Sequence, residues 1–414
     1  PRSTLFPYTT LFRSDLHDEG LEAVLDNIQG RAGLDGVSLA CAYHHARDVF
    51  PHNPVRKVRY LEGGTVFFRP DSQRYQDLRI RPQMSQLAEQ VDILEALVEV
   101  AGQRGLAVRA WTVFLHNTRL GSLYPDCAMQ NAFGDPYITQ LCPANPEVRA
   151  FAAALAADIA RYGVDAILAE ALCYLGFDHG YHHERCFVPL SPMARCLLGL
   201  CFCRHCLETA GEAGVDGERV RDLVRQVLEE ALAGSPPAWL ALELTWDNVA
   251  GLAGGELGGY LLARMEAVTT LARAVSQAVK RIRPETTVYF MDMSGAAKGY
   301  ATGEPAGEPA PNSAWQDGVD VAAVARAAGG LEAIGYARNP ERLRFDLTAY
   351  RELLPEATPF SVALRPMLPD CDTPANLAAK VAVASEAGAE WVDFYHYGLM
   401  PLDRLDWIRQ ALHG

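Results

Sequence analysis

The sequence predicts a (β/α)8 barrel with a cysteine-containing insertion after its fourth strand. Three observations carry this expectation. Seven short apolar segments, near residues 38, 108, 165, 288, 332, 361 and 392, alternate with amphipathic segments of helical period. Strands separated by helices pair in parallel, because each crossover must cover a face of the sheet. No G-x-G-x-x-G follows any of these strands, which places a doubly wound nucleotide-binding sheet second to the barrel. The length of 414 residues suits one barrel with insertions.

Taken in order, the chain opens with Pro1 to Ser14, PRSTLFPYTTLFRS. This stretch lacks the apolar run and small-residue cleavage site of a secretory signal, and it resembles a translated sequencing-library adapter. It is expected to be non-native, with the first barrel strand lost or replaced there, so the segment at Val37 is numbered second. Helix Leu21 to Ile28 precedes strand Val37 to Tyr43, and Thr65 to Phe68 reads as a hairpin strand. Helix Met84 to Gln103 closes at Gly105, a C-cap residue. Strand Ala107 to Leu115 follows. Asn145-Pro146 opens helix Glu147 to Tyr162, and Gly163 stops it before strand Val164 to Ala169. Residues 171–255 form the insertion, which contains a helix from Arg219 to Leu232 and a break at Ser235-Pro-Pro237. Helix Glu256 to Ile282 leads to strand Thr287 to Asp292 and then to a Gly/Pro/Ala loop, Gly295 to Ser313, a lid candidate. Helix Val319 to Ala328, strand Leu331 to Ala337, helix Leu347 to Leu354, strand Phe360 to Leu364, helix Thr373 to Ala387, strand Trp391 to Tyr395 and a last helix complete a single barrel domain over residues 15–414.

Hydrophobic residues make up 49% and charged residues 21%, enough apolar side chain for a large core. Lys plus Arg is 37 against Asp plus Glu 51, a net charge of −14. So acidic a chain repels phosphate backbones and anionic lipid, so neither nucleic acid nor membrane is an expected partner. A small carbohydrate is, and self-association is compatible with the fold class.

Ten cysteines are too sparse for a disulfide-built scaffold. Three of them fall in Cys201-Phe-Cys203-Arg-His-Cys206. Thiolates this close converge on one ion, and Zn²⁺ takes four ligands in a tetrahedron. Cys142, just ahead of a helix, is the expected fourth ligand; Cys186, Cys196 and His205 compete with it. Four thiolates would close the shell, so the ion would be structural. The alternative is a group of buried thiols at a helix start. Thiolate ligands must stay reduced, which points to the cytoplasm.

In barrels of this class the site lies at the C-terminal ends of the strands. Those ends carry Tyr43, His44 and Arg47; Trp111, His116 and Asn117; Glu170; Asp292; Tyr336 and Arg338; Arg365; and Tyr395 with His396. Flat aromatic faces with polar donors suit a sugar. Glu170 ends an apolar strand, where partial desolvation would raise its pKa and let it protonate a leaving oxygen. Asp292 is the expected second carboxylate, with Asp370 (and Asp372 beside it) in competition. Asp178, His179 and His182, in the run Phe177 to Glu184, could touch substrate, hold a second metal or belong to a solvated loop. Arg47, Arg338 and Arg365 could bind an acidic substituent or pair with carboxylates. His396 could be a ligand or a hydrogen-bonded rim residue.

Cys142-Pro-Ala-Asn-Pro-Glu-Val-Arg149 opening a helix, a strand ending in Glu170, and the C-x-C-x-x-C cluster occur in an order that resembles the glycoside hydrolase family 42 β-galactosidases. The resemblance covers the third and fourth strands and the insertion. It implies a TIM barrel, a structural zinc on Cys142, Cys201, Cys203 and Cys206, and Glu170 at the acid/base position. The family's nucleophile is a Glu ending the seventh strand; here that strand reads Phe360-Ser-Val-Ala-Leu-Arg365. The expected function is hydrolysis of a glycosidic bond. The alternatives are a sugar-binding barrel without hydrolysis and a metal-dependent isomerase or lyase that uses the His-rich run.

Overall fold

The computed structural model describes residues 5–178, 185–295 and 302–413. Eight parallel strands close on themselves: β1 (Phe6–Leu11), β2 (Gly36–Tyr43), β3 (Ala107–Val113), β4 (Ala166–Glu170), β5 (Thr287–Asp292), β6 (Gly329–Ile334), β7 (Phe360–Leu364) and β8 (Trp391–Phe394). β1 pairs with both β2 and β8, and this double pairing closes the ring.

The first strand, expected to be lost or replaced here, is present, and residues 6–11 form it. The segment can fill the place because it alternates. Tyr8 turns its ring to Arg109 inside the barrel, 5.3 Å from the guanidinium carbon, while the Thr9 hydroxyl donates to the Phe394 carbonyl of β8 at 2.7 Å. Strand boundaries elsewhere move by a few residues. The largest shift is at β6, which begins at Gly329 and ends at Ile334.

The helix expected over Met84 to Gln103 is two helices, Gln86–Gln90 and Ile93–Arg104. Val91 is extended, and the Asp92 carboxylate caps the second helix by accepting from the Glu95 amide. The same carboxylate accepts from the Arg69 amide and the Tyr162 hydroxyl, so the break is anchored from three sides. Asn145 caps helix Pro146–Ala160 through the Glu147 and Val148 amides, with Pro146 in the first turn. That helix packs on the long helix Glu256–Ile282, where Arg149 donates to the Ala267 carbonyl at 2.9 Å. Between β4 and the long helix the chain forms helices Pro192–Leu198, Arg204–Glu212 and Gly217–Leu232.

The barrel floor is charged. Arg109 of β3 is buried and donates to Asp393 of β8 at 2.8 Å and to Glu332 of β6 at 3.2 Å. Ser38 of β2 donates to Asp393, and Ser361 of β7 donates to Glu332 at 2.6 Å. The Tyr289 and Trp391 rings flank the guanidinium. This layer fixes which strand residues face the lumen. Residues two or four positions further along each regular strand face the mouth.

Candidate active site at the barrel mouth

One layer above Arg109, Trp111 of β3 crosses the lumen, and its indole N–H donates to Glu170 Oε2 at 2.5 Å. Glu170 is 8% exposed. Burial pushes its pKa up to about 7, against the smaller opposing effect of the Trp111 hydrogen bond. Aromatic rings wall the same space. Phe12 stacks on Trp111 at 5.8 Å, while Tyr43 meets it edge-on at 4.9 Å and Tyr395 at 5.6 Å. Tyr336 lies 5.9 Å from Tyr395 and takes the Arg365 guanidinium over its face at 4.6 Å. A β-bulge in β2 shifts the register between Ala40 and Ala42, which turns Tyr43 to the lumen side when simple alternation from Ser38 would turn it out. His44 stacks between Tyr43 (4.2 Å) and His116 (4.6 Å).

The other expected site residues separate into groups. Asp292 has the opposite parity to Tyr289, so it faces the helix layer. It accepts there from the Tyr350 hydroxyl and, at 2.8 Å, from Ser294. As the expected second carboxylate it does not stand beside Glu170. Asp370 is buried and accepts at both oxygens from Arg365, Nε to Oδ2 and Nη2 to Oδ1, each at 2.8 Å. Arg338 donates to the Pro369 carbonyl of that loop at 2.8 Å. Arg47 is exposed on a hairpin strand, Arg47–Val49, paired with Val58–Tyr60, so the three arginines do not converge. Asn117 is a helix cap, with its side chain accepting from the Leu120 amide at 2.9 Å. Asp178 is exposed and paired with Arg195. His179 and His182 lie outside the described residues, as does part of the lid candidate, residues 296–301. His396 is fully buried beneath Phe12, ring centroids 4.2 Å apart, and its Nδ1 accepts from the Gly398 amide at 3.1 Å. Burial drives its pKa well below the ordinary value and keeps it neutral.

Away from the mouth, Cys142, Cys201, Cys203 and Cys206 come together, all buried, with their sulfurs within 4.8 Å of one another. Cys142 follows a hairpin strand and precedes the Asn145 cap; the other three sit at the start of helix Arg204–Glu212. The Gln130 amide donates to Cys201 Sγ at 3.4 Å. This set could hold a metal ion. Cys186 is exposed, Cys196 is outside the group, and His205 lies 3.1 Å from Glu208. Asp126, Cys127 and Glu147 also approach one another. Arg79 donates to all three of them, so a cation already fills that site.

No protein-family model matches the chain, and no curated protein sequence does. Solved structures do. The barrel is similar to those of glycoside hydrolases. A β-galactosidase of the Antarctic haloarchaeon Halorubrum lacusprofundi is 12% identical, with 98% of this chain and 57% of that one covered and a TM-score of 0.55. A GH42 β-galactosidase of G. stearothermophilus is 12% identical over 96% and 52%, TM-score 0.52. The catalytic domain of a β-amylase from Paenibacillus polymyxa is 8% identical over 97% and 95%, TM-score 0.53. The chain thus spans little more than half of the two β-galactosidases, and at these identities the likeness is one of fold.

Reading the sequence for strand ends missed Phe12, which forms part of the platform with Trp111, Tyr43 and His396. The signal was present: Tyr8 and Thr10 share one face of β1, and Phe12, extended just past its end, keeps the same parity. It sat in a segment set aside as foreign.

Proposed function

We propose that the chain cleaves glycosidic bonds, with Glu170 as general acid. One observation carries the reading: a carboxyl group with its pKa raised to about 7 stands at the C-terminal mouth of a barrel, buried among aromatic rings. Such an acid keeps a substantial protonated fraction, about half, at neutral pH and regains a stable anion once it has given its proton away. Trp111 holds Oε2, which leaves Oε1 to carry the proton to the leaving oxygen and steadies the carboxylate afterwards. The partly exposed ring of Tyr395, backed by the buried Trp111 and Tyr336, offers an aromatic surface for the C–H face of a sugar ring. Arg365, held by its bidentate pair with Asp370, places a positive charge beside this wall of the mouth. The fold's likeness to glycoside hydrolases, β-galactosidases among them, supports the same class of substrate.

A second reading is a sugar-binding barrel without hydrolysis. It is favoured by the engagement of Asp370 with Arg365 at the end of β7 and by the outward turn of Asp292. Aryl glycosides and a glycan array, run on the unaltered chain and on Glu170→Gln, separate the two. Hydrolysis is expected in the unaltered chain. It should fall by ~10²–10⁴ in Glu170→Gln, as loss of a general acid does, with sugar binding retained. Full activity in Glu170→Gln removes Glu170 from the mechanism. Binding with no product in the unaltered chain selects the second reading.

The cysteine set is read as a structural zinc centre. Zn–S bonds of ~2.3 Å in a tetrahedron place the sulfurs ~3.8 Å apart. Cys142 Sγ lies 3.5, 3.9 and 3.4 Å from the sulfurs of Cys206, Cys201 and Cys203. With four sulfur ligands the ion would have no open position, so it would brace the fold and supply no step of the reaction. A reducing, cytoplasmic setting fits such a site.

A further inference from the structure

The strand that ends in Glu170 runs straight into the cysteine centre. Ala171, Leu172, Cys173 and Tyr174 follow it, each at most 2% exposed. The Glu170 carbonyl accepts from the Phe114 amide at 3.0 Å, and the Ala171 carbonyl accepts from the Leu115 amide at 3.1 Å. Ala171 has φ of +52°, the only positive value at a non-glycine among the described residues. A backbone held there persists only where its surroundings over-determine it. The far end of the segment shows what does so. The Tyr174 amide donates to the Asp317 carbonyl at 3.1 Å, and the Tyr174 hydroxyl lies 3.3 Å from Cys206 Sγ, placed to donate to a thiolate. Arg264 covers the ring at 4.3 Å, and Gly318 approaches its other atoms so closely that an added Cβ would sit 2.6 Å from Cδ2.

We propose that Tyr174 is a positioning residue: by tying the segment after β4 to Cys206, it uses the cysteine centre to hold the Glu170 carboxyl in its desolvated place against Trp111. Three residues, Ala171, Leu172 and Cys173, separate Glu170 from Tyr174, and all are packed. A slack tether admits water to the mouth or lets Glu170 swing off the indole. The inference rests on Glu170 being the working acid, but its consequence for the carboxyl can be read without any substrate. Among the described residues, the charge of Glu170 is felt by Cys173 on its own segment and by Tyr336 across the mouth. Both are buried and stay neutral through the acidic and neutral range.

Trp111 reports on its partner, so the test is tryptophan fluorescence against pH, with the Glu170 transition identified by its absence in Glu170→Gln. Two variants disturb the tether differently. Tyr174→Phe removes only the hydroxyl. Gly318→Ala, at a residue with φ of +69°, pushes on the ring and leaves every hydrogen-bonding group in place. Bound zinc and circular dichroism are measured on each, and either variant alone decides if the other fails to fold. The expected result is a midpoint near 7 in the unaltered chain, lowered by at least one pH unit in the variants with zinc content unchanged. An unmoved midpoint in a folded variant overturns the proposal, as does the absence of any Glu170-dependent transition in the unaltered chain. If the midpoint moves as expected while no glycoside is turned over, the positioning role stands and the hydrolytic reading falls.

Discussion

The raised pKa of Glu170 is also a statement about stability, and Glu170→Gln measures it. The folded carboxyl titrates at about 7 against an ordinary 4.5. Each pH unit of that difference corresponds to ~1.4 kcal/mol, so ionising Glu170 in the folded chain costs about 3 kcal/mol. The sign follows from the direction of the shift. The folded state holds this proton more tightly than the unfolded state does, so its contribution is fully present below about 4.5 and is lost as pH rises through about 7. Glutamine has nearly the same shape and no charge, and its amide oxygen can still accept from the Trp111 N–H. Other buried acids, Asp15, Asp317 and Glu332, are raised to about 8, 7 and 7 and shape the same part of the stability curve. They cancel when variant and parent are compared at each pH. Urea unfolding followed by far-ultraviolet circular dichroism, from pH ~4 to pH ~8, gives the difference. Glu170→Gln is expected to gain about 3 kcal/mol on the parent across that interval, with most of the change between about 4.5 and 7. Parallel curves would falsify the desolvation argument, because they require a Glu170 solvated equally in both states.

Two further outcomes are expected. Arg109→Met leaves Glu332 and Asp393 facing each other in the barrel floor without their shared cation. The urea midpoint should fall by the equivalent of ~3–5 kcal/mol, the usual cost of unpairing a buried charge, and an unchanged midpoint would mean the floor is held by packing alone. Metal analysis of the purified chain is expected to find a single zinc, absent from Cys203→Ser along with a lower melting temperature; full metal and full thermal stability in that variant would exclude the four-cysteine centre.

The strands were legible because their apolar runs are short and the caps between them are chemically distinct. Asn145-Pro146 opens one helix and Gly105 closes another, as the residue types require. The cysteine cluster was legible too, because three of its members lie within six positions and the fourth stands before a capped helix. What failed has separate causes. Asp92 could not be seen as a cap, because it sits inside an uninterrupted helical pattern and its partners Arg69 and Tyr162 are remote in sequence. β1 resembles a foreign segment by composition, yet hydrogen bonding to β2 and β8 requires only an extended chain whose side chains alternate.

The site itself turns on parity. Glu170 and Asp292 both end barrel strands, and by residue type either could be an acid. In a closed barrel, alternate residues face lumen and helices, so the deciding quantity is spacing from a residue known to point inward. Glu170 is two positions beyond Leu168, which pairs with the lumenal Trp111. Asp292 is three beyond Tyr289, whose ring meets Arg109, so it turns to Tyr350 in the helix layer. Tyr43 shows the limit of that arithmetic: it reaches the lumen because the bulge after Ala40 inserts one residue. Arg109, a charge in the middle of an apolar strand, is the marker from which the inward direction could have been counted. A buried arginine must meet carboxylates, and within the barrel the carboxylates on its level, Glu332 and Asp393, mark the inward face of two more strands.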